Sequence, residues 1–250
     1  SEWVGLRWFG RFFGSYNSVR MISNTVFLSL ELILFTFPIP ILLALMVNHV
    51  HNRIYRRIVQ TVLYAPHFIS VMVLAGMLRI FLSPSGGLIN LIIQATGNES
   101  IYFLGDTRWF RPIYILSDIW QHSGWDTIIY IAALSGVDTQ LYDAAKVDGT
   151  GAIGRIWHID LPAITPTIVI MLIMRFGGLM NIGFEKAYLL QTSLNRGTSE
   201  IIATYVYEQG ILRTQYSFSA AVGLFNTAVN ITLLLLINRI AKKVSDINFI

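Results

Sequence analysis

"LYDAAKVDGTGAIGRIWHIDLPAITP", Leu141 to Pro166, sets Asp143, Lys146, Asp148, Arg155, His158 and Asp160 between two long apolar runs. Just upstream, Asp138 and Thr139 can each cap a helix, because a short side-chain oxygen accepts from the free N–H groups of a first turn. Leu141, Ala144 and Ala145 then fall at i, i+3 and i+4 and share one face. Gly149 follows Asp148 as the residue suited to a left-handed C-terminal turn. A second short helix is expected from Thr150 or Gly151, with Ile153, Ile156 and Trp157 as its stripe and Pro162 as its end. Asp143, Lys146, Arg155 and His158 lie off the stripes. Two short amphipathic helices joined at a glycine make an elbow. A loop that merely links two spans is the competing reading of the spacing, but a half-exposed apolar elbow is better suited to docking.

Around this elbow the chain is built for lipid. Of its 250 residues 54% are hydrophobic and only 13% charged, with a mean hydropathy of +0.58. Soluble domains carry about 25% charged residues, so an all-α integral membrane protein is expected. The formal charge of +4 suits basic cytoplasmic loops, and no dense Lys/Arg block points to nucleic acid. With no cysteine, disulfides, thiolate nucleophiles and Cys-based metal sites are excluded. The five histidines show no HExxH spacing, and His49 and His51 are expected to meet lipid or water.

Five apolar runs are long enough to span, which takes about 20 residues: Met21–Val47, Ile58–Leu82, Pro112–Gly136, Ala163–Ile182 and Ser217–Asn238. They lack the alternation of barrel strands. Lys and Arg favour one set of loops: residues 48–57, 137–162 and 239–250 hold eight in 48 residues, against eight in 83 for the opposite set. "NHVHNRIYRR" and "NRIAKK" directly abut span ends, where the bias is read. The elbow, residues 137–162, is therefore expected in the cytoplasm. Five spans with an outer N-terminus imply a sixth span upstream. Residues 1–20, where Arg alternates with Trp and Phe, read as an outer interfacial segment. "GGLINLIIQATG" and "IIATYVYEQGIL" read as outer half-helices. No linker or repeat divides the chain, so one domain over residues 1–250 is expected.

Asp143-Ala144-Ala145, Gly149 after three residues, then Ile159 and Leu161-Pro162 resemble the "EAA" loop of binding-protein-dependent ABC importer permeases. Asp143 departs from the usual Glu by one methylene. "SNTVFLSL", "APHFISVMVLAGM", "DIWQHSGWDTIIYIAALSGVD" and "GFEKAYLLQ" extend the likeness to the carbohydrate-importing group with the MetI-like fold, most closely to permeases for polysaccharide fragments. The resemblance implies that the elbow seats on a cytoplasmic ATPase subunit, with Asp143, Ala144, Ala145, Asp148, Gly149, Ile153, Arg155, Trp157, Leu161 and Pro162 at that interface. It also implies a second homologous permease, two ATPase subunits, an extracellular solute-binding protein and a bacterial cytoplasmic membrane; a homodimer is the alternative pairing. The chain itself has no G-x-x-x-x-G-K-[ST] phosphate loop, so ATP and Mg belong on the partner, and this chain is expected to bind no cofactor and no metal and to have no catalytic residue.

Polar groups within spans default to the bundle interior or a solute pathway. Asp118, Gln121 and Trp125 share one face, and carboxylate, amide and indole together suit a sugar. Asp126, Arg175, Asn181, Glu185 and Asn226 complete the candidate pathway; bundle pairing is the alternative for Asp118 and Asp126, and helix–helix hydrogen bonding for the asparagines. Glu31 is expected to pair with another span, Arg79 to snorkel, and Glu185 with Lys186 to face an arriving binding protein or form a solvated pair. The function expected is ATP-driven import of oligosaccharides by alternating access. A permease for glycerol phosphate or amino acids is the alternative within the class. An ion-coupled secondary transporter would show inverted repeats, and an intramembrane enzyme a catalytic constellation; neither is present in the sequence.

Overall fold

The computed structural model describes residues 4–245, with side chains as far as Arg239. The side chains of Lys242 and Lys243, from the last basic cluster, lie outside the described residues, as do residues 1–3 of the N-terminal segment. All regular structure among the described residues is helical. A short α1 (Arg7–Phe13) precedes α2 (Ser18–Thr36) and α3 (Pro38–Asn48). Pro38 and Pro40 occupy the first turn of α3. Phe37 keeps helical backbone, so the two helices continue as one 31-residue candidate span, Ser18–Asn48.

The second expected span is broken. α4 (Arg53–Tyr64) begins at Asn52, whose side chain accepts from the N–H groups of Ile54 and Tyr55. Thus the basic stretch read as loop is already helix. A tight turn at Ala65–Phe68 contains Pro66, and Ser70 caps α5 (Val71–Phe81) by accepting from Val73 N–H. The two arms are bent by 94°. A proline followed by a strong N-cap ends one helix and starts another, although the hydrophobic run is unbroken. Then come the half-helix α6 (Leu88–Ala95) and the 29-residue α7 (Thr107–Ser135). The elbow is α8 (Thr139–Val147) and α9 (Ala152–Arg155), leading into α10 (Leu161–Gly177).

Pro162 does not end the elbow helix, as its position suggested. A π-helical turn over Ile156–Asp160 joins α9 to α10, and the whole stretch Ala152–Gly177 is a candidate span. The wider turn displaces the carbonyl that the proline ring would strike and asks no N–H of residue 162. Beyond it lie α11 (Phe184–Leu190), α12 (Arg196–Ser199), α13 (Ile202–Tyr207) and α14 (Tyr216–Ser245). Ser18–Asn48, Ala152–Gly177 and Tyr216–Arg239 are each long and apolar enough to cross a membrane, and the bent α4–α5 pair makes a fourth if counted as one span. α7 has the length, ~44 Å at 1.5 Å per residue, but is more polar.

The chain resolves into two compact units, each assembled from separate segments. One comprises the chain up to Glu31, Ser70–Leu116 and Gly178–Leu233. In it Phe12 is fully buried, with ring centroids 6.3 Å from Tyr205 and 5.8 Å from Phe225. Phe12 thus anchors the N-terminal segment in this unit, while Leu6, Phe13 and Tyr16 of the same segment stay exposed. Asn24 of α2 donates to the carbonyls of Gly197 and Glu200 at 2.9 and 3.1 Å. Asn90 of α6 accepts from Ile101 N–H at 2.8 Å and donates to the Ser83 carbonyl at 2.9 Å, closing the loop around that half-helix.

The other unit comprises Leu32–Ile69, Ser117–Gly177 and the chain from Leu234. Its core is Ala44 and Leu45 from α3, Tyr130 and Leu134 from α7, and Ile164 from α10. α4 crosses α7 at Gly124, where an added Cβ would lie 1.9 Å from the Leu63 carbonyl oxygen. Only glycine lets two backbones approach so closely.

Candidate coupling elbow and polar bundle site

Local chemistry builds the elbow. The Asp138 carboxylate accepts from Gln140 N–H at 2.9 Å and opens α8. Gly149 closes it at φ +70°, in the left-handed region. Asp143 and Lys146 pair at 2.9 Å on the exposed face. The expected stripe splits: Ala145 is buried, whereas Leu141 stays 52% exposed and Ala144 is exposed too. Val147 at 88%, Ile153 at 73% and Trp157 at 65% exposure are further exposed apolar side chains on the elbow. Asp148 and Pro162 are exposed, Arg155 is half-buried, and Leu161 packs against the α3–α7–α10 core. His158 bonds the Gly154 carbonyl through Nδ1 at 2.8 Å.

Beneath the elbow sits a buried carboxylate. Asp160 is fully buried at the end of the π turn. Its Oδ2 meets His49 Nε2 at 2.7 Å, and its Oδ1 accepts the Tyr142 hydroxyl at 2.5 Å. His49 therefore bonds protein, where lipid or water was expected. A cavity of about 210 Å³ beside it is lined by Asn48, His49, His51, Tyr142, Lys146 and Arg155, among others. Burial and the bond to Asp160 push the Tyr142 phenol up to about 12. Tyr142 and Asp160 were not picked out as a pair, because residues 18 apart on different elements share no periodicity.

Five of the pathway candidates lie in the same unit and are tied up in pairs. Asp126 pairs with Arg175 at 2.5 Å, and Asp118 lies 3.4 Å from His122. Gln121 is buried and donates to the Ile69 carbonyl at 2.8 Å, holding the break between α4 and α5. Among the described residues its Oε1 has no protein partner, nor has His67 Nδ1. Trp125 stacks on His67 and meets Phe68 edge-on, with ring centroids 5.6 Å apart. His67 and Phe68 were missed because they lie on the turn that breaks an expected continuous span; the "PH" pair at Pro66–His67 was the available signal. Among the described residues no group of His, Asp or Glu is arranged to hold a metal ion.

Asn181, Glu185 and Asn226 belong to the other unit. Asn226 of α14 donates at 3.0 Å to Asn181, which lies in the non-helical stretch between α10 and α11, so the bond is helix to loop where a helix–helix bond was the alternative. Neighbouring Asn230 accepts from Met180 N–H at 2.9 Å. Glu185 is exposed, but Lys186 is buried with its ammonium 4.7 Å from the Tyr114 ring centroid, so the two do not form a solvated pair. An aromatic face desolvates a cation at low cost. Arg79, itself exposed, donates to the Leu189 carbonyl. Glu31 pairs with Arg111 at 3.1 Å, and Arg111 also donates to Asn24.

The chain carries three helices long and apolar enough to cross a membrane, or four with the bent pair, and a capped elbow ahead of α10. Residues 9–246 match the family described as binding-protein-dependent transport system inner membrane component. The chain is 47% identical over 247 residues to the polygalacturonan/rhamnogalacturonan transport system permease protein YteP of Bacillus subtilis (strain 168), covering 98% of this chain and 77% of that one. It is 45% identical to the protein LplB of the same organism, covering 97% and 76%. A bacterial ABC transporter involved in the import of the acidic polysaccharide alginate superposes with a TM-score of 0.94 at 41% identity, covering 98% of this chain and 86% of that one. The chain belongs to the binding-protein-dependent transport system inner membrane component family, with the MetI-like permease fold. It is a transport subunit of an ABC importer and not an enzyme.

Proposed function

We propose that this chain is the permease subunit through which oligosaccharides from polysaccharide breakdown cross a bacterial cytoplasmic membrane by alternating access. A separate ATPase drives the step through the elbow. The observation that carries this reading is the set of exposed apolar side chains Leu141, Val147, Ile153 and Trp157 on a capped, glycine-closed pair of helices. Such side chains are costly to leave in water and are matched by a groove on another protein. Asp143, Ala144, Asp148 and Arg155 would rim the contact. Two ATPase subunits, carrying ATP and Mg, would serve this chain and a second homologous permease. An extracellular solute-binding protein would deliver the sugar, as in the alginate transporter solved with a periplasmic protein bound to alginate pentasaccharide. Closure of the ATPase pair would displace the elbow and bias the spans between inward and outward states.

The substrate reading rests on the indole of Trp125 beside Asp118, Gln121, His122 and the Asp126–Arg175 pair, with Asn181, Glu185 and Asn226 as further polar candidates. Sugar C–H faces stack on indole while hydroxyls bond carboxylates and amides. The relatives named for polygalacturonan, rhamnogalacturonan and alginate add weight to a glycan. The test is co-purification from membranes with ATPase subunits. The chain should retain them, and Gly149→Pro, which cannot adopt φ +70°, should lose both association and transport. Full association and uptake in that variant would sink the coupling reading.

A further inference from the structure

The covalent route from α8 to α10 runs through Gly149 and Gly151, and open space surrounds the Cβ position of both. Glycine backbone is the most easily rotated in the chain. A push on α8 sent along that route alone would be absorbed there. A second route bypasses the glycines. Tyr142, in the middle of α8, donates to Asp160, the residue directly before α10; His49, at the C-terminal cap of α3, meets the other oxygen of the same carboxylate. The carboxylate has no exposed surface. There its charge-assisted hydrogen bonds are about twice as strong as neutral ones, and losing a partner leaves a buried charge unsatisfied.

We infer that Tyr142, Asp160 and His49 are positioning residues, forming a strap that stiffens the elbow and carries displacement of α8 to α3 and α10. The inference rests on α8 being the contact with the ATPase. Asp160 takes no part in that contact, being enclosed, and the exposed docking residues Leu141, Val147, Ile153 and Trp157 are untouched by cutting the strap. The consequence is specific: the ATPase still binds and still hydrolyses ATP, but less sugar moves for each ATP consumed.

The experiment uses the full complex, with second permease, ATPases and binding protein, in proteoliposomes. A labelled mixture of galacturonan and alginate oligosaccharides is the solute. Tyr142→Phe and Asp160→Asn should keep ATPase association and hydrolysis within about twofold, while sugar transported per ATP falls roughly tenfold, the weight of one hydrogen bond to a buried charge. His49→Gln, which retains a donor, should couple better than His49→Ala. Tyr142→Phe deletes one hydroxyl and carries the test if Asp160→Asn fails to assemble. An unchanged ratio in Tyr142→Phe, or transport and hydrolysis falling in equal proportion, overturns the strap. Failure of the unmodified chain to retain the ATPase overturns the coupling reading first, before any variant is made.

Discussion

The rings of His67 and Trp125 lie face to face, centroids 4.4 Å apart and planes 5° from parallel. His67 occupies one face of the indole, yet Trp125 remains 40% exposed, leaving ring surface for a solute. Loss of one sugar–indole stack costs about 1 kcal/mol. Trp125→Ala should therefore raise the apparent KM for oligosaccharide uptake roughly fivefold, with ATPase association unchanged. An unchanged KM in uptake assays removes Trp125 from the pathway.

The side chains of Arg175 and Asp126 are 39% and 26% exposed in this chain, so their bond is partly open and modest. Each single neutral variant, Asp126→Asn or Arg175→Gln, should lower thermal stability in detergent, and the double variant should lose less than the sum. A double-mutant cycle should return a coupling of about 1 kcal/mol. Strict additivity would mean the pair does not interact.

Gly124 and Gly223 make a paired test of packing. A Cβ at Gly124 would strike the Leu63 carbonyl, which is backbone and cannot swing away, whereas Gly223 has open space. Gly124→Ala should cost about 3 kcal/mol, the upper range for overpacking. Gly223→Ala should be neutral or stabilise by up to about 1 kcal/mol, the helix propensity difference. Thermal unfolding monitored by tryptophan fluorescence distinguishes them, and equal effects would contradict the close α4–α7 crossing.

Tyr142 gives the elbow an alkaline limit. Its phenol is raised to about 12 in the folded chain, so the unfolded state deprotonates first. The strap's contribution is fully present below the ordinary tyrosine range, near pH 10, and is lost as pH rises from there towards 12. Proteolysis of the elbow should accelerate over that window in the parent chain. The added acceleration should be absent in Tyr142→Phe, and identical profiles would contradict the bond to Asp160.

Features set by neighbours in sequence were readable from the residues alone. Asp138 caps the next turn and Gly149 takes the left-handed position because each acts within a few residues. The break between α4 and α5 was missed since hydrophobicity continues across it, and Ser70 becomes a cap only once Pro66 has ended the preceding helix. Pro162 misled because a π turn, which has no sequence signature, absorbs its ring. The ties of Asp160 to His49 and of Glu31 to Arg111 join residues 111 and 80 positions apart. Only tertiary packing brings such groups together. The candidate pathway was legible as polar residues in apolar helices, but their pairing, and the part played by His67, were not.

The central claim is that the elbow transmits ATP-driven work to a glycan pathway. The most direct measurement is accumulation of labelled oligosaccharide in proteoliposomes holding this permease, its partner permease, the ATPases and the binding protein, with and without ATP, for the parent chain and for Val147→Glu. Val147 is 88% exposed on α8, so the variant places a charge in the docking face without disturbing the fold. The account predicts ATP-dependent accumulation in the parent, and loss of both accumulation and ATPase retention in the variant. Accumulation that ignores ATP, or that persists undiminished in Val147→Glu, would contradict it.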